Sequence, residues 1–565
     1  MNTIRLLAAG ALSLAAVPIA AQTSPAFDAA RLSKHVQTLS ADAFEGRAPA
    51  TKGEQMTVDY IVREFRSAGL QPGGDIVNGR REWTQRVPLL KSDIVGTPQL
   101  TVQTAAGQMA LTQGEHIAVR SPMSGHTSVN INAPLVFAGY GVHAPERNWD
   151  DFKGQDVRGK ILVVLINDPD IEGGEGDFGG RLMTYYGRWT YKYEEAARRG
   201  AAGVMVVHET EPASYGWATV KNSNTNTMFD IVRQDPAAAH TPFESWIQRD
   251  TAVELFRAAG LDFEQAKEAA KRRDFQPIDL RARLNASLNA QTEVITSYNV
   301  VGLLRGTRRP DETVIYTAHH DHLGIGQPDS RGDRIYNGAV DNATGVAHVI
   351  EQARAFARRP RTERSVVFLA VGAEEKGLLG SEYYVANPLY PLAKTAGVLN
   401  TDSMGVHGRA RNFSMSGVAR VDLLDMLIAE AAKQGRTFTP DPRPEAGLFF
   451  RSDHFPFAKA GVPAISFRYG NDLVNGGMAR GNALIDDYVA NRYHQPADEF
   501  DPSWDFSGMV EDARLLHGVG YGLANSSAWP NWSQDSEFRA VRDRSAGDRG
   551  LPAPQQLDQR AGERG

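Results

Sequence analysis

The apolar positions divide the chain into stretches of different period. Between residues 27 and 70 they recur at helical spacing, with Thr57, Ile61, Val62 and Phe65 in phase and Gly69 closing the run. Residues 87–119 alternate instead, which predicts short strands with one wet face. From residue 133 unbroken apolar runs take over. Residues 133–138, 161–165 and 203–207 read as buried strands, with a helix carrying Tyr193, Ala196 and Ala197 that ends at Gly200. Amphipathic helices are expected around 252–259 and 263–271. A second set of buried strands (300–304, 314–318, 366–371, 398–401 and 464–467) alternates with helices at 346–357 and 421–434, before a last helix at 509–523. This alternation implies an α/β fold, a mostly parallel, mixed and twisted sheet with helices on both faces. The expected layout is an N-terminal part over 27–92, an inserted β-rich α/β domain with flanking strands and helices over 93–292, and the main domain over 293–528. Residues 533–565 are rich in Arg, Asp, Gln, Gly and Pro without periodicity, and are expected to form a disordered tail.

The first residues read differently. Arg5 precedes an apolar run over 6–16, and Ala20-Ala21 before Gln22 offers small residues for cleavage, so 1–21 is expected to be a signal peptide. The run falls below the roughly 20 residues needed to span a bilayer. No later stretch is long and apolar enough to span either. The expectation is a bacterial periplasmic or secreted protein with no membrane span after cleavage.

Composition narrows the chemistry. Of 565 residues, 42% are hydrophobic and 23% charged, ordinary globular values. Lys and Arg number 61 against 67 Asp and Glu, a formal charge of −6 with no basic block, which disfavours a nucleic-acid partner. Cysteine is absent. Disulfides, thiolate zinc sites, iron–sulfur clusters and cysteine nucleophiles are thereby excluded. Any metal must be held by His, Asp and Glu.

Those residue types gather where an open α/β sheet binds its ligands, beyond the carboxyl ends of its strands. Residues 314–318 run into His319-His320-Asp321-His322, residues 366–371 into Glu374-Glu375, and residues 398–401 into Asp402. The loop Asn337-Gly338-Ala339-Val340-Asp341-Asn342 opens a helix, and Tyr493-His494-Gln495-Pro496 precedes the last one. A single acid or histidine at a strand end is usually a cap. Several on one edge would repel, and a bound cation is the simplest neutraliser. Histidine and carboxylate donors suit Zn²⁺ or a similar ion, and five ligands with one bridging fit two ions about 3.5–4 Å apart. Consecutive residues leaving a strand point opposite ways, so one of Glu374 and Glu375 can bind metal while the other acts as general base. By the same alternation His319 and Asp321 share a face that His320 does not, although His322 could compete with His319. Other motifs fail. There is no G-x-S-x-G elbow and no H-E-x-x-H helix. The Gly154–Lys160 match to a phosphate loop has Ile161 where Ser or Thr is needed, and precedes a strand instead of following one.

The set resembles the M28 family of zinc aminopeptidases in its form with an inserted protease-associated (PA) domain. The matching stretches are Ala318-His319-His320-Asp321-His322-Leu323-Gly324, Gly338-Ala339-Val340-Asp341-Asn342-Ala343-Thr344-Gly345, Ala373-Glu374-Glu375-Lys376-Gly377, Asn400-Thr401-Asp402, Ser452-Asp453-His454 and Tyr493-His494-Gln495-Pro496-Ala497-Asp498, with Phe44-Glu45-Gly46-Arg47 near the start. The resemblance implies two zinc ions per chain. His319 and Asp402 would hold one, Glu375 and His494 the other, with Asp341 bridging. Glu374 would be the general base, Asp321 the carboxylate orienting His319, and Tyr493 the donor to the oxyanion, unless it merely packs. The implied substrates are peptides with a free N-terminus. Rival readings of the same motifs are a di-zinc carboxypeptidase or amidohydrolase, a single-zinc glutaminyl cyclase, and a receptor-like binding module that has lost catalysis. Oligomeric state is not legible.

Overall fold

The computed structural model describes residues 27–552, apart from 124, 175, 327 and 419. The signal peptide expected over 1–21 lies outside the described residues. No described helix is long and apolar enough to cross a membrane.

The fold is α/β. Sixteen strands of the described residues join in one mixed sheet. Its main path runs Thr437–Phe438, Asn412–Met415, Ala464–Tyr469, Thr395–Thr401, Arg309–His319, Arg364–Val371, Ile278–Leu304, Ser128–Phe137, Ile161–Leu165, Gly203–His208, Phe243–Gln248 and Ile117–Val119. Two parallel blocks sit in this path. In one, Arg309–His319 lies between Arg364–Val371 and Thr395–Thr401, and the latter pairs with Ala464–Tyr469. In the other, Ser128–Phe137, Ile161–Leu165, Gly203–His208 and Phe243–Gln248 run together. Apart from Phe243–Gln248, these are the strands that the unbroken apolar runs predict, because parallel strands are covered on both faces.

One strand joins the blocks. Ile278–Leu304 pairs antiparallel with Arg364–Val371 through residues 300–304 and with Ser128–Phe137 through residues 278–289. Beside it runs Thr84–Thr104, a single 21-residue strand where alternation suggested several short ones. Gly96 and Pro98 do not end it, because a bulge opposite Ser287–Asn289 absorbs them. The divide expected at 92/93 and 292/293 therefore falls inside two paired strands, with Ser92 opposite Thr292 and no loop between the units.

Side chains alternate across the main block. Val314 and Tyr316 face a core built with Leu32, Val36, Ile61 and Phe65 from the first two helices and Val346 and Ile350 from the helix Thr344–Ala357. Ile315 faces the other way, toward Val367, Leu369, Val398 and Phe457. The early helical stretch is two helices, Ala29–Leu39 and Lys52–Ala68, separated by a 3-10 turn at Asp42–Arg47. Asp28 caps the first by accepting from the Arg31 N–H at 2.8 Å, and Gly69 ends the second in the left-handed conformation. The helix Gly477–Asn491, with almost every side chain exposed or half-exposed, had no apolar stripe to announce it.

The expected disordered tail is folded through residue 552. Trp532 is buried and donates to the Gly461 carbonyl at 3.0 Å, and Phe538 stacks on Phe449 with centroids 6.0 Å apart. A helix follows at Arg539–Arg544. Arg542 donates to the Thr395 carbonyl at 3.0 Å and Arg549 to Ala393 at 3.2 Å, at the amino end of a central strand. Composition counts these arginines as solvent-loving, whereas here they bond backbone oxygens that the strand leaves open. Residues 553–565 lie outside the described residues. Replacing Trp532 by Ala should cost about 3–5 kcal/mol and lower the midpoint of thermal unfolding by several degrees. An unchanged melt would show that this segment does not support the fold.

Candidate metal centre

Register brings the strand ends together. His319 ends its strand opposite Val371, so the Glu374–Lys376 turn begins just beyond it. Thr317 pairs with Asn400, which places Asp402 on the other side. Asp341 lies in the Ala339–Ala343 turn that feeds the helix Thr344–Ala357. His494 arrives from beyond the helix Gly477–Asn491.

All eight expected residues meet at this edge. His319 Nε2 lies 3.1 Å from Asp341 Oδ1 and 3.3 Å from Asp402 Oδ1. His494 Nε2 lies 3.2 Å from Asp341 Oδ2 and 3.2 Å from Glu375 Oε2. Asp341 thus turns one oxygen to each imidazole. His319, Asp341 and Glu375 form one group of donor atoms within 4.8 Å of one another, and His319, Glu374 and Asp402 form another. Glu374, the expected base, is therefore within ligand reach itself. His322 Nδ1 is 2.7 Å from Glu375 Oε1 but off the angle of a hydrogen bond, and both atoms are buried without a hydrogen-bond partner.

Electrostatics show what this crowding demands. Burial would lower the pKa of His319, but Glu374, Asp341 and Asp402 raise it well above the ordinary value. Burial is likewise outweighed at His494, which Glu375 and Asp341 push up to about 10. The carboxyl of Asp341 is held well below its usual range against burial by His319 and His494. Glu374 moves the other way, raised by burial and then by Glu375, Asp402 and Asp453. The acids, in short, draw positive charge onto the imidazoles. A divalent cation supplies that charge and leaves the imidazoles neutral, as ligands must be. Nitrogen and oxygen donors around unpartnered buried atoms fit zinc.

One role needs restating. The Asp321 carboxylate does not hold His319, since Oδ1 is 3.7 Å from Nδ1; the Asp321 backbone carbonyl lies nearer, at 3.2 Å. The carboxylate instead accepts the N–H groups of Glu374 at 3.0 Å and Glu375 at 3.3 Å, fixing that turn. Tyr493 stacks on the His494 ring, 3.9 Å between centroids, with its hydroxyl kept protonated by burial and by Asp341 and Glu375. His320 points away and meets the Tyr298 carbonyl at 2.7 Å, as strand alternation required.

Two supporting residues escaped the sequence reading although their motifs were in view. Asp498 accepts the N–H groups of Val340 at 3.0 Å and Asp341 at 3.1 Å, and so anchors the backbone behind Asp341. Arg47 is buried and donates to the carbonyls of Leu39, His320, Asn337 and Gly338, tying two ligand-bearing loops together. The loops are tight. Gly338 has φ +57°, and a Cβ there would sit 2.2 Å from the Asp341 carbonyl oxygen and 2.6 Å from the His322 ring. Ala373, Ser403 and His494 also take left-handed φ values, each at or beside a donor residue.

Residues 299–516 match the family model described as Peptidase family M28. A probable zinc metalloprotease of Pyricularia oryzae is 37% identical over 107 residues, 19% of this chain and 21% of the relative. Aminopeptidase YwaD of Bacillus subtilis is 27% identical over 209 residues, 36% of this chain and 42% of the relative. The aligned stretches thus span between a fifth and a half of the length of these relatives. A solved aminopeptidase from Aneurinibacillus sp. strain AM-1 is 19% identical and covers 89% of this chain and 95% of its own, with a TM-score of 0.48. The matched residues carry all eight expected site residues, from His319 to His494, together with Asp498, and they follow the order of the motifs. Over residues 299–516, less than half of its length, this chain matches the model of peptidase family M28.

Proposed function

We propose that this protein is an exported zinc aminopeptidase that removes N-terminal residues from peptides. The observation that supports it best is the division of Asp341, one oxygen facing His319 and the other His494. His319 and Asp402 would hold one zinc ion, Glu375 and His494 a second, and Asp341 both. That division favours two ions over the single zinc of a glutaminyl cyclase. Bound there, zinc would polarise the peptide carbonyl and lower the pKa of water. Glu374, a buried carboxylate with a raised pKa, takes the proton of the attacking water and passes it to the leaving amine. The Tyr493 hydroxyl donates to the oxyanion that forms on the carbonyl. Acidic oxygens around the centre hold the substrate's free ammonium, which restricts cleavage to the first residue. The relative named an aminopeptidase agrees with this reading.

The inserted unit is read as a PA domain that frames the cleft and limits substrate size. Residues 1–21 are read as the export signal, which places the mature protein in the periplasm or outside the cell.

Hydrolysis of a panel of aminoacyl-p-nitroanilides tests the reading. Release should be abolished by a chelator and restored by zinc. Glu374→Gln should lower kcat by about 10²–10⁴ while metal content stays near two per chain. Two bound metals without release from any substrate would favour the carboxypeptidase or amidohydrolase reading. Asp498→Ala leaves the backbone behind Asp341 unheld, and should weaken zinc affinity by about 10–100-fold in competition with a chromogenic chelator. Unchanged affinity would remove Asp498 from the metal site's support.

A further inference from the structure

One short segment of the inserted unit docks on the main-domain loop 444–451. The Met183 N–H donates to the Pro444 carbonyl at 3.3 Å, and the Tyr185 ring packs on Phe450 and Phe455 with centroids 6.4 and 5.4 Å away. This docking sets residues 183–188 against the loop 444–451. Arg188 closes the first and Arg451 the second. Arg451 is exposed, while the Arg188 Nε is enclosed and has no hydrogen-bond partner. Neither guanidinium has an acceptor or an ion pair among the described residues. Other buried arginines also keep an unbonded nitrogen, Arg364 Nη2 among them, but each has at least one acceptor or ion pair. Arg47 donates to four carbonyls, and Arg364 pairs with Glu312 and donates to the Leu523 carbonyl.

The two cations lie close enough to repel. Burial first, and then Arg451, hold the Arg188 guanidinium at about 10, still charged at neutral pH, with the Tyr215 hydroxyl beside both. Ser452, next to Arg451, accepts from Asn400 Nδ2 at 2.7 Å, two residues before Asp402, so Arg451 stands at the edge of the metal centre, where it also acts on Tyr493. The helix Trp189–Arg198 starts at Arg188 with no acid in its first turn and no side-chain cap. Like charges held together with an enclosed, unbonded donor are costly unless an anion meets them. A carboxylate is the natural one, because guanidinium groups take it in paired hydrogen bonds.

We propose that Arg188 and Arg451 form a carboxylate-binding subsite on the leaving-group side of the metal centre, making short peptides the substrates. This rests on the aminopeptidase reading, in which the free amine is held at the acidic inner end and the chain leaves toward the rim. An extended chain advances about 3.3–3.6 Å per residue, so the gripped carboxylate belongs one or two residues past the cut bond. It is either the C-terminus of a di- or tripeptide or an acidic side chain at that position. Arg188 comes from the inserted unit and Arg451 from the main domain, so the insertion selects substrates as well as framing the cleft.

The test is the specificity ratio of four substrates, Leu-Ala, Leu-Ala-amide, Leu-Asp-amide and N-acetyl-Leu-Ala, with the full-length enzyme. Leu-Ala should exceed Leu-Ala-amide in kcat/KM by about tenfold or more, a difference of about 1.4 kcal/mol, mostly in KM. Arg188→Gln and Arg451→Gln should each bring the ratio toward one, and Arg451→Lys should restore part of it. Because the readout is a ratio within one preparation, a partly misfolded variant does not imitate the effect. Preference for Leu-Asp-amide over Leu-Ala would support the subsite and assign it to an acidic side chain. Equal rates for Leu-Ala, Leu-Ala-amide and Leu-Asp-amide in the native enzyme, or a ratio that both Gln variants leave unchanged, would overturn the subsite. Cleavage of N-acetyl-Leu-Ala as fast as Leu-Ala would instead overturn the aminopeptidase reading, whatever the arginine variants do.

Discussion

Carboxylates crowded at one sheet edge are the constraint on which the rest of this structure depends. Asp341, Glu374, Glu375 and Asp402 each bring an oxygen within 4.8 Å of a His319 ring nitrogen. Such a cluster is stable only if positive charge enters it. The two imidazoles supply some, and the fit of the donor set to zinc shows how the rest can be supplied. The same crowding explains why Glu374 differs from its neighbour. Glu375 faces His494 and His322 and is pulled below its usual range against burial, whereas Glu374, more deeply opposed by other acids, is pushed up. Two adjacent glutamates are thereby given opposite proton affinities by environment alone.

Holding such a cluster takes a rigid frame around it. Asp321 fixes the Glu374–Glu375 turn through two backbone N–H groups, and Asp498 does the same for Val340 and Asp341. Arg47 gathers the carbonyls of His320, Asn337 and Gly338 from the early 3-10 turn. Each of these charged groups bonds backbone, and each is buried, so removing one would expose several unmet polar groups at once. The left-handed residues beside the donors are tolerated because this frame over-determines the loops.

The insertion is part of that frame. Ile278–Leu304 belongs to both parallel blocks, so the two units share a sheet and are not joined by a flexible linker. The strand Met228–Ile231 of the inserted unit pairs with Leu89–Ser92 and sets Ile231 against Ala373 and Leu379, on either side of the Glu374–Lys376 turn. With Tyr185 docked on Phe450, the inserted unit touches the main domain near both the base and the rim.

Much of this was legible in the residues. Unbroken apolar runs identified the parallel strands, because burial on both faces leaves no polar alternation. Acids and histidines directly after those runs identified the metal centre, because a strand's carboxyl end is where an α/β sheet is open. Period alone could not show that residues 84–104 form one strand, since a bulge hides the break, nor that residues 477–491 form a helix with no apolar stripe. It also misjudged residues 533–549, where Arg542 and Arg549 bond backbone carbonyls instead of water. Which donor each oxygen of Asp341 faces, that the Asp321 carboxylate bonds the backbone of the Glu374–Glu375 turn, and that Arg188 and Arg451, 263 positions apart in sequence, come within electrostatic reach depended on tertiary structure. Residue types and local period follow from the chain itself, but side-chain partners distant in sequence are decided only when the sheet register and the docking of the insertion bring their loops together.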